Sequence, residues 1–233
     1  MRVIPHKMQT DTNDAADPGL INSIAEALDG QQIKGSARLK VWLGQSLLQQ
    51  ATVRIDAAAM SHKDILSVLL AHWANSLGDQ FGPFAVAYAI QPRGRTVVTT
   101  CASRAFIDQI RDFAHSRKLL IQSIAPWNSK ILNENRLVIK NENSYFLVRE
   151  QECVSMGALV DGQWSAWQCE PSEGASWSDI AITLRRFARI NALDENMPVW
   201  LYPGRLNTSN LAAEGLPQWK ILNTISSNIK AQT

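Results

Sequence analysis

The chain has 233 residues, 45% of them hydrophobic and 19% charged, which suits one large packed domain or two small ones. Its formal net charge is +2, with lysines and arginines dispersed, so it lacks the electrostatic footprint of a nucleic-acid or anionic-membrane binder. The three cysteines, Cys101, Cys153 and Cys169, contain no CxxC pair, so neither a zinc site nor a dithiol redox motif is supported. No signal-peptide core and no apolar run of bilayer length occurs, which sets the expectation of a cytoplasmic chain in a reducing compartment.

Residues 1–36 are polar and are expected to be mobile, except for a short amphipathic helix over Pro18–Leu28. Asp17 suits its N-cap, Pro18 its first turn, and Leu20, Ile21, Ile24 and Leu28 its apolar face. Strands are expected at Leu39–Leu43 and Ala51–Ile55, then a helix capped by Ser61 and ended by Gly78, with Ile65, Leu66, Leu69, Leu70 and Trp73 at helical spacing. A strand Phe84–Ile90, a turn Pro92–Arg95 and a strand Thr96–Cys101 follow. Ser103 suits the cap of a helix carrying Phe106, Ile107, Ile110 and Phe113 inward, and Leu119–Ile124 reads as the next strand.

After Trp127 a short helix to Leu132 is expected, then a strand at Leu137–Lys140 and three more at Tyr145–Arg149, Cys153–Val160 and Trp164–Cys169. Asp161-Gly162 is a two-residue hairpin signal between the last two. Ser176 opens a helix whose apolar set is Ile180, Ile182, Leu184, Phe187 and Ile190. Arg185, Arg186 and Arg189 form the densest basic cluster and suit its solvated face. Pro198–Tyr202 is the next strand, and the last residues hold one more strand candidate, Trp219–Leu222, in a polar tail. The element order is two rounds of a strand meander followed by helix and strand, which favours an α/β fold with a mixed sheet in each round.

That order, with the stretches Phe84–Arg95, Thr99–Phe106, Leu120–Asn128 and the hairpin at Gly162-Gln163-Trp164, resembles actin-like proteins built from two ribonuclease-H-like subdomains. Within that class it is similar to the cytoplasmic part of the type II secretion L protein and to the type IV pilus M protein. The resemblance implies subdomains at 37–126 and 127–205, flanked by the segment 1–36 and a C-terminal tail, 206–233. It also implies an assembly platform at the inner membrane, engaged through a protein partner of the pilus or secretion machinery.

Actin-like ATPases carry an Asp-x-Gly turn in the first hairpin of each subdomain, where the acid and backbone amides hold phosphate and magnesium. Here the first turn reads Trp42-Leu43-Gly44-Gln45-Ser46, without an acid. The second reads Val148-Arg149-Glu150-Gln151-Glu152, without a glycine, and the closest segment to an adenosine loop is Tyr202-Pro203-Gly204-Arg205. Loss of ATP binding is the expectation, with no cofactor, no metal and no catalytic residue.

Nothing else in the sequence restores chemistry. No phosphate loop, dinucleotide fingerprint, nucleophile elbow or zinc-protease motif is present. His62, His72 and His115 have no partner at metal-ligand spacing. Asp56, Asp64, Asp108 and Asp112 do not form a nuclease metal site, because the first strand carries no acid to bridge two metals. Eight tryptophans are the oddest feature, and Trp164 and Trp167, three apart on one strand, are expected to point to opposite faces. Core packing is the plain reading of both, and exposure of one to a ligand the sharper one.

The sequence therefore points to a non-catalytic adaptor working through protein contacts, with Leu20, Ile24, Leu28, Trp164 and Trp167 as candidate partner-binding residues. On this reading, removing residues 1–36 abolishes partner binding and leaves the melting temperature unchanged. The rival readings are a nucleotide-binding, ATPase-like enzyme and a single-stranded nucleic-acid binder using Trp and Arg, the second disfavoured by the charge.

Overall fold

The structure, a computed structural model, describes residues 18–29, 37–78, 84–139, 142–204, 216 and 219–222. Its elements in chain order are α1 (Pro18–Asp29), β1 (Arg38–Leu43), β2 (Leu48–Arg54), α2 (His62–Leu77), β3 (Phe84–Ile90), β4 (Thr96–Ser103), α3 (Arg104–Ser116) and β5 (Leu120–Pro126). There follow α4 (Trp127–Ile139), β6 (Ser144–Arg149), β7 (Cys153–Val160), β8 (Gln163–Pro171), α5 (Trp177–Ile190), β9 (Val199–Tyr202) and β10 (Lys220–Ile221).

The second half is one mixed five-stranded sheet in the order β10-β9-β6-β7-β8. β6, β7 and β8 form an antiparallel meander, while β9 runs parallel to β6 and β10 parallel to β9. Successive strand side chains point to opposite faces, so β6 feeds two cores. Tyr145 and Leu147 pack with Trp177, Ile180, Leu184 and Phe187 of α5. Phe146 and Val148 pack on the other face with Ile131 and Ile139 of α4. Covered on both sides, β6 is buried along its whole length. The tail contributes to this sheet, since Leu216, Trp219 and Leu222 are buried and β10 is its outermost strand.

The first half departs from the single mixed sheet expected of it. β1 and β5 make a two-stranded parallel sheet, and β2, β4 and β3 make a separate antiparallel one. The short 3-10 turn Gln45–Leu47 sends β2 away from β1 to pair along its length with β4. α3 covers the region where the two sheets meet, through Phe106, Ile107 and Ile110 against Leu43, Leu48 and Ala102. α2 covers the three-stranded sheet through Ile65 and Leu69 against Val97, with Val53, Val86 and Tyr88 around them.

The local signals place most boundaries. Ser61 accepts a hydrogen bond from the Asp64 amide at the start of α2, and Ser103 accepts one from the Phe106 amide at the start of α3. Ser176 and Asp179 form a reciprocal capping box on α5. Asp161 and Gly162 both take positive φ, 52° and 74°, as a tight hairpin between β7 and β8 requires. Asp17, assigned to cap α1, lies outside the described residues.

Two expectations are corrected. Residues 137–139, read as strand, are the last turn of α4, because Ile131, Asn135 and Ile139 continue one buried helical face while Leu137 and Val138 point outward. On α5, Ile182 and Ile190 are 62% and 69% exposed: helical spacing sets Ile182 opposite Ile180, Leu184 and Phe187, and Ile190, at the margin of that face, is the last residue of the helix.

Candidate functional site

The two turns that the sequence comparison brings into question face each other. The chain leaves β1 at Gly44 in extended conformation and enters the 3-10 turn, so the Gln45 amide has no partner within its own turn. The acceptor comes from the other half of the molecule, where Glu150 follows the end of β6. The Gln45 N–H donates to both oxygens of the Glu150 carboxylate, at 3.0 and 3.1 Å, across a separation of 105 residues. A β-carbon at position 44 would fall 2.6 Å from Glu150 Oε2, so a glycine there is what admits the carboxylate.

A set of amides surrounds this contact. Gln45 is 2% exposed, and its Nε2 donates to Gln50 Oε1 on β2 at 2.9 Å. Asn128, fully buried at the start of α4, donates to the same oxygen at 2.5 Å. Gln45 Oε1, Asn128 Oδ1 and Glu152 Oε1 are buried and have no hydrogen-bond partner among the described residues. Burial pushes the Glu150 carboxyl up to about 7, with the Gln45 N–H pulling the other way. No cation pairs with Glu150 among the described residues. The guanidinium of neighbouring Arg149 reaches the Ala175 carbonyl at 2.5 Å and lies 4.7 Å from the centre of the Trp177 ring. On the far side, Gly204 packs so closely on Arg149 that a β-carbon would lie 2.7 Å from its carbonyl oxygen.

Chemically, the contact joins the two turns through a carboxyl and a backbone amide. No group of three or more His, Cys, Asp or Glu able to hold a metal occurs among the described residues. His62 bonds Tyr88 through Nδ1 at 2.5 Å, and burial holds His72 below its ordinary value. The Cys101 thiol is pushed up to about 12 by burial, which removes it as a nucleophile.

Trp164 and Trp167 lie on the same face of β8, contrary to the strict alternation expected of them. The ladder to β7 shifts register between Ala158 and Leu159, so Ser165 is an extra residue and the spacing of three becomes an even one. Both rings then reach Phe146, with centroids at 6.0 and 6.2 Å, and meet each other edge-on at 5.2 Å. Trp167 is buried and Trp164 half-buried in this core. In α1, Ile24 is half-buried and Ile21 packs against the core beneath α3, while the side chains of Leu20 and Leu28 lie outside the described set. The structure thus does not bring α1 and the tryptophans together as one surface.

The missed pair is Gln45 and Glu150. The first turn lacks an acid and the second a glycine, but nothing in either sequence indicates that one turn occupies the other.

Together these features define a protein of the actin-like ATPase fold, a class shown by likeness to solved structures. The chain is similar to a protein of the PilM-PilN type IV pilus biogenesis complex, with a TM-score of 0.69 and 14% identity over 95% of this chain and 80% of that one. It is also similar to a Bacteroides thetaiotaomicron protein with an actin-like ATPase fold and unknown function, at TM-score 0.55 and 10% identity over 88% and 78% of the two chains. The cytoplasmic domain of EpsL, an inner-membrane component of the Vibrio cholerae type II secretion system, matches at TM-score 0.53 and 10% identity over 80% and 69%. No protein-family model and no curated protein matches the sequence. The resemblance read from the sequence therefore holds at the level of fold. No helix among the described residues is long and apolar enough to cross a membrane.

Proposed function

We propose that this protein is a non-catalytic, actin-like adaptor that works through protein–protein contacts in the assembly of a type IV pilus or a type II secretion apparatus. It acts in the cytoplasm and meets the inner membrane through a membrane-anchored partner. The observation that carries the non-catalytic part is the Glu150–Gln45 contact. The two turns that cradle phosphate in an actin-like ATPase touch each other here, and a carboxylate occupies the amide that a phosphate would need. The likeness to pilus and secretion proteins supports the assembly role.

Affinity capture of the tagged, crosslinked chain from its native cells, read by mass spectrometry, tests the assembly role. Pilus or secretion inner-membrane components are the expected catch, and their absence counts against the reading. Calorimetric titration with Mg-ATP tests the rest: no saturable heat is expected, and micromolar binding would restore the ATPase-like reading.

A further inference from the structure

We propose that the outward face of α5 is a docking surface for an acidic amphipathic helix of a protein partner. Ile182, Arg185, Arg186, Arg189 and Ile190 follow the spacing i, i+3, i+4, i+7, i+8, which sets them in one stripe along the helix with Ile190 at its margin. All five are exposed, and they line a surface groove of about 270 Å³. One helix supplies that whole lining, so nothing encloses a small molecule, and the groove suits side chains from another surface. The stripe is aliphatic at both ends, where a merely solvated face would be polar. Helix stability does not call for isoleucine there, since β-branched residues are weaker helix formers than Lys or Glu.

Charge selects the occupant. α5 carries three arginines against one aspartate, a formal +2 equal to that of the whole chain, so the basic excess of the protein sits on this helix. Two of the arginines are tied at the flanks: Arg189 Nε lies 2.7 Å from Glu195 Oε1, and Arg186 Nη2 lies 3.3 Å from Glu170 Oε1. Arg185, in the middle, meets no acid among the described residues. The stripe therefore asks for a carboxylate at its centre and for aliphatic side chains at its ends, about 12 Å apart at the rise of a helix. A partner helix supplies both on one face, whereas a partner strand needs a sheet edge for its backbone, which α5 does not offer. A second copy of the same face would set arginines against arginines. An anionic bilayer attracts arginine too, but its headgroups would meet Glu170 and Glu195, and only two aliphatic side chains would insert. The place of this surface in an assembly rests on the adaptor reading; its chemistry does not.

The probe is a fluorescent synthetic helix with Leu at i and i+8 and Glu at i+4, titrated with the full chain and read by anisotropy. Saturable binding is expected, weakened at least about tenfold by Arg185→Glu and removed by Ile182→Ser with Ile190→Ser. These side chains lie outside the core, so the variants should melt with the wild type. A second probe with Lys in place of Glu tests the same contact without altering the protein, and its binding should be at least about tenfold weaker. No binding of the first probe, equal binding of both, or binding to phosphatidylserine vesicles in place of the helix overturns the proposal. Capture from native cells separates it from the adaptor reading. Pilus or secretion components recovered equally by the wild type and by Arg185→Glu overturn the docking surface and leave the adaptor standing. Charge-selective probe binding without such recovery supports the surface and sinks the adaptor reading.

Discussion

Gly157 on β7 lies directly beneath the Trp167 ring on β8, its cross-strand partner, so that a β-carbon at 157 would stand 2.3 Å from Cζ3 of that ring. The same β-carbon would be 2.9 Å from Cζ3 of Trp164. The absent side chain at 157 is what lets two indoles and Phe146 pack together on one face of the sheet. Gly157→Ala should therefore cost about 1–3 kcal/mol, the range for forcing an extra methyl into a packed core. Urea unfolding followed by tryptophan fluorescence measures it, and an unchanged midpoint would show that the rings move aside freely.

Glu150 should make global stability fall with pH. Its value is raised in the folded chain, so the folded state holds a proton that the unfolded chain releases between the ordinary carboxylate range and about pH 7. Its contribution is complete below that window and lost as pH rises through it, by up to about 3 kcal/mol. Relative to wild type, E150Q should gain stability steadily from pH 5 to pH 8. Denaturant midpoints across that range that differ by a constant amount would contradict the expectation.

Thr99 is fully buried between α2 and the three-stranded sheet and uses its hydroxyl twice. It accepts from the indole N–H of Trp73 and donates to the Ala87 carbonyl, both at 3.1 Å. Thr99→Val preserves shape and strands both partners, which should cost about 1–3 kcal/mol. Thr99→Ser keeps the bonds and should recover part of that loss. Calorimetric melting of the two variants separates the hydroxyl from the methyl.

Gln91, at the end of β3, ties the three-stranded sheet to β8 of the five-stranded one. Its side-chain amide accepts from the Trp164 N–H at 2.6 Å and donates to the Trp164 carbonyl at 2.9 Å, as a neighbouring strand would. Gln163 returns the favour with a 2.8 Å bond to the Pro92 carbonyl. Gln91→Ala should release the Trp164 amide to exchange. Gln91→Glu should be the more disruptive of the two, since a carboxylate oxygen then faces the Trp164 carbonyl. Exchange rates at Trp164 rising in the order wild type, then Gln91→Ala, then Gln91→Glu are expected; protection unchanged in both would show that Gln163 and Thr52, the latter bonded to the Ser165 carbonyl at 3.3 Å, hold the junction without Gln91.

Removing α1 should not be neutral for stability. Ile21 packs against the core formed by Leu43, Phe106 and Ile110, so the helix is part of the first half as well as a candidate docking segment. Ile21→Ser should lower the melting temperature by a few degrees, in proportion to one partly buried aliphatic side chain. A melting temperature equal to wild type would restore the view of residues 1–36 as dispensable to the fold.

The sequence by itself determined the elements and the class. Short-range chemistry did this work: Ser61, Ser103 and Ser176 cap helices through amides three residues away, and Asp161-Gly162 closes a hairpin through two positive φ angles. The absence of an acid in one turn and of a glycine in the other was equally legible. What only the tertiary structure decided are relationships that no local pattern encodes. β2 leaves β1 for β4, a single extra residue at Ser165 turns two tryptophans to one face, and Ile182 and Ile190 fall outside a helix face that their hydrophobicity suggested. Above all, Glu150 meets Gln45 across 105 residues, a contact set by how two independently readable halves dock, with burial then setting the chemistry of the acid.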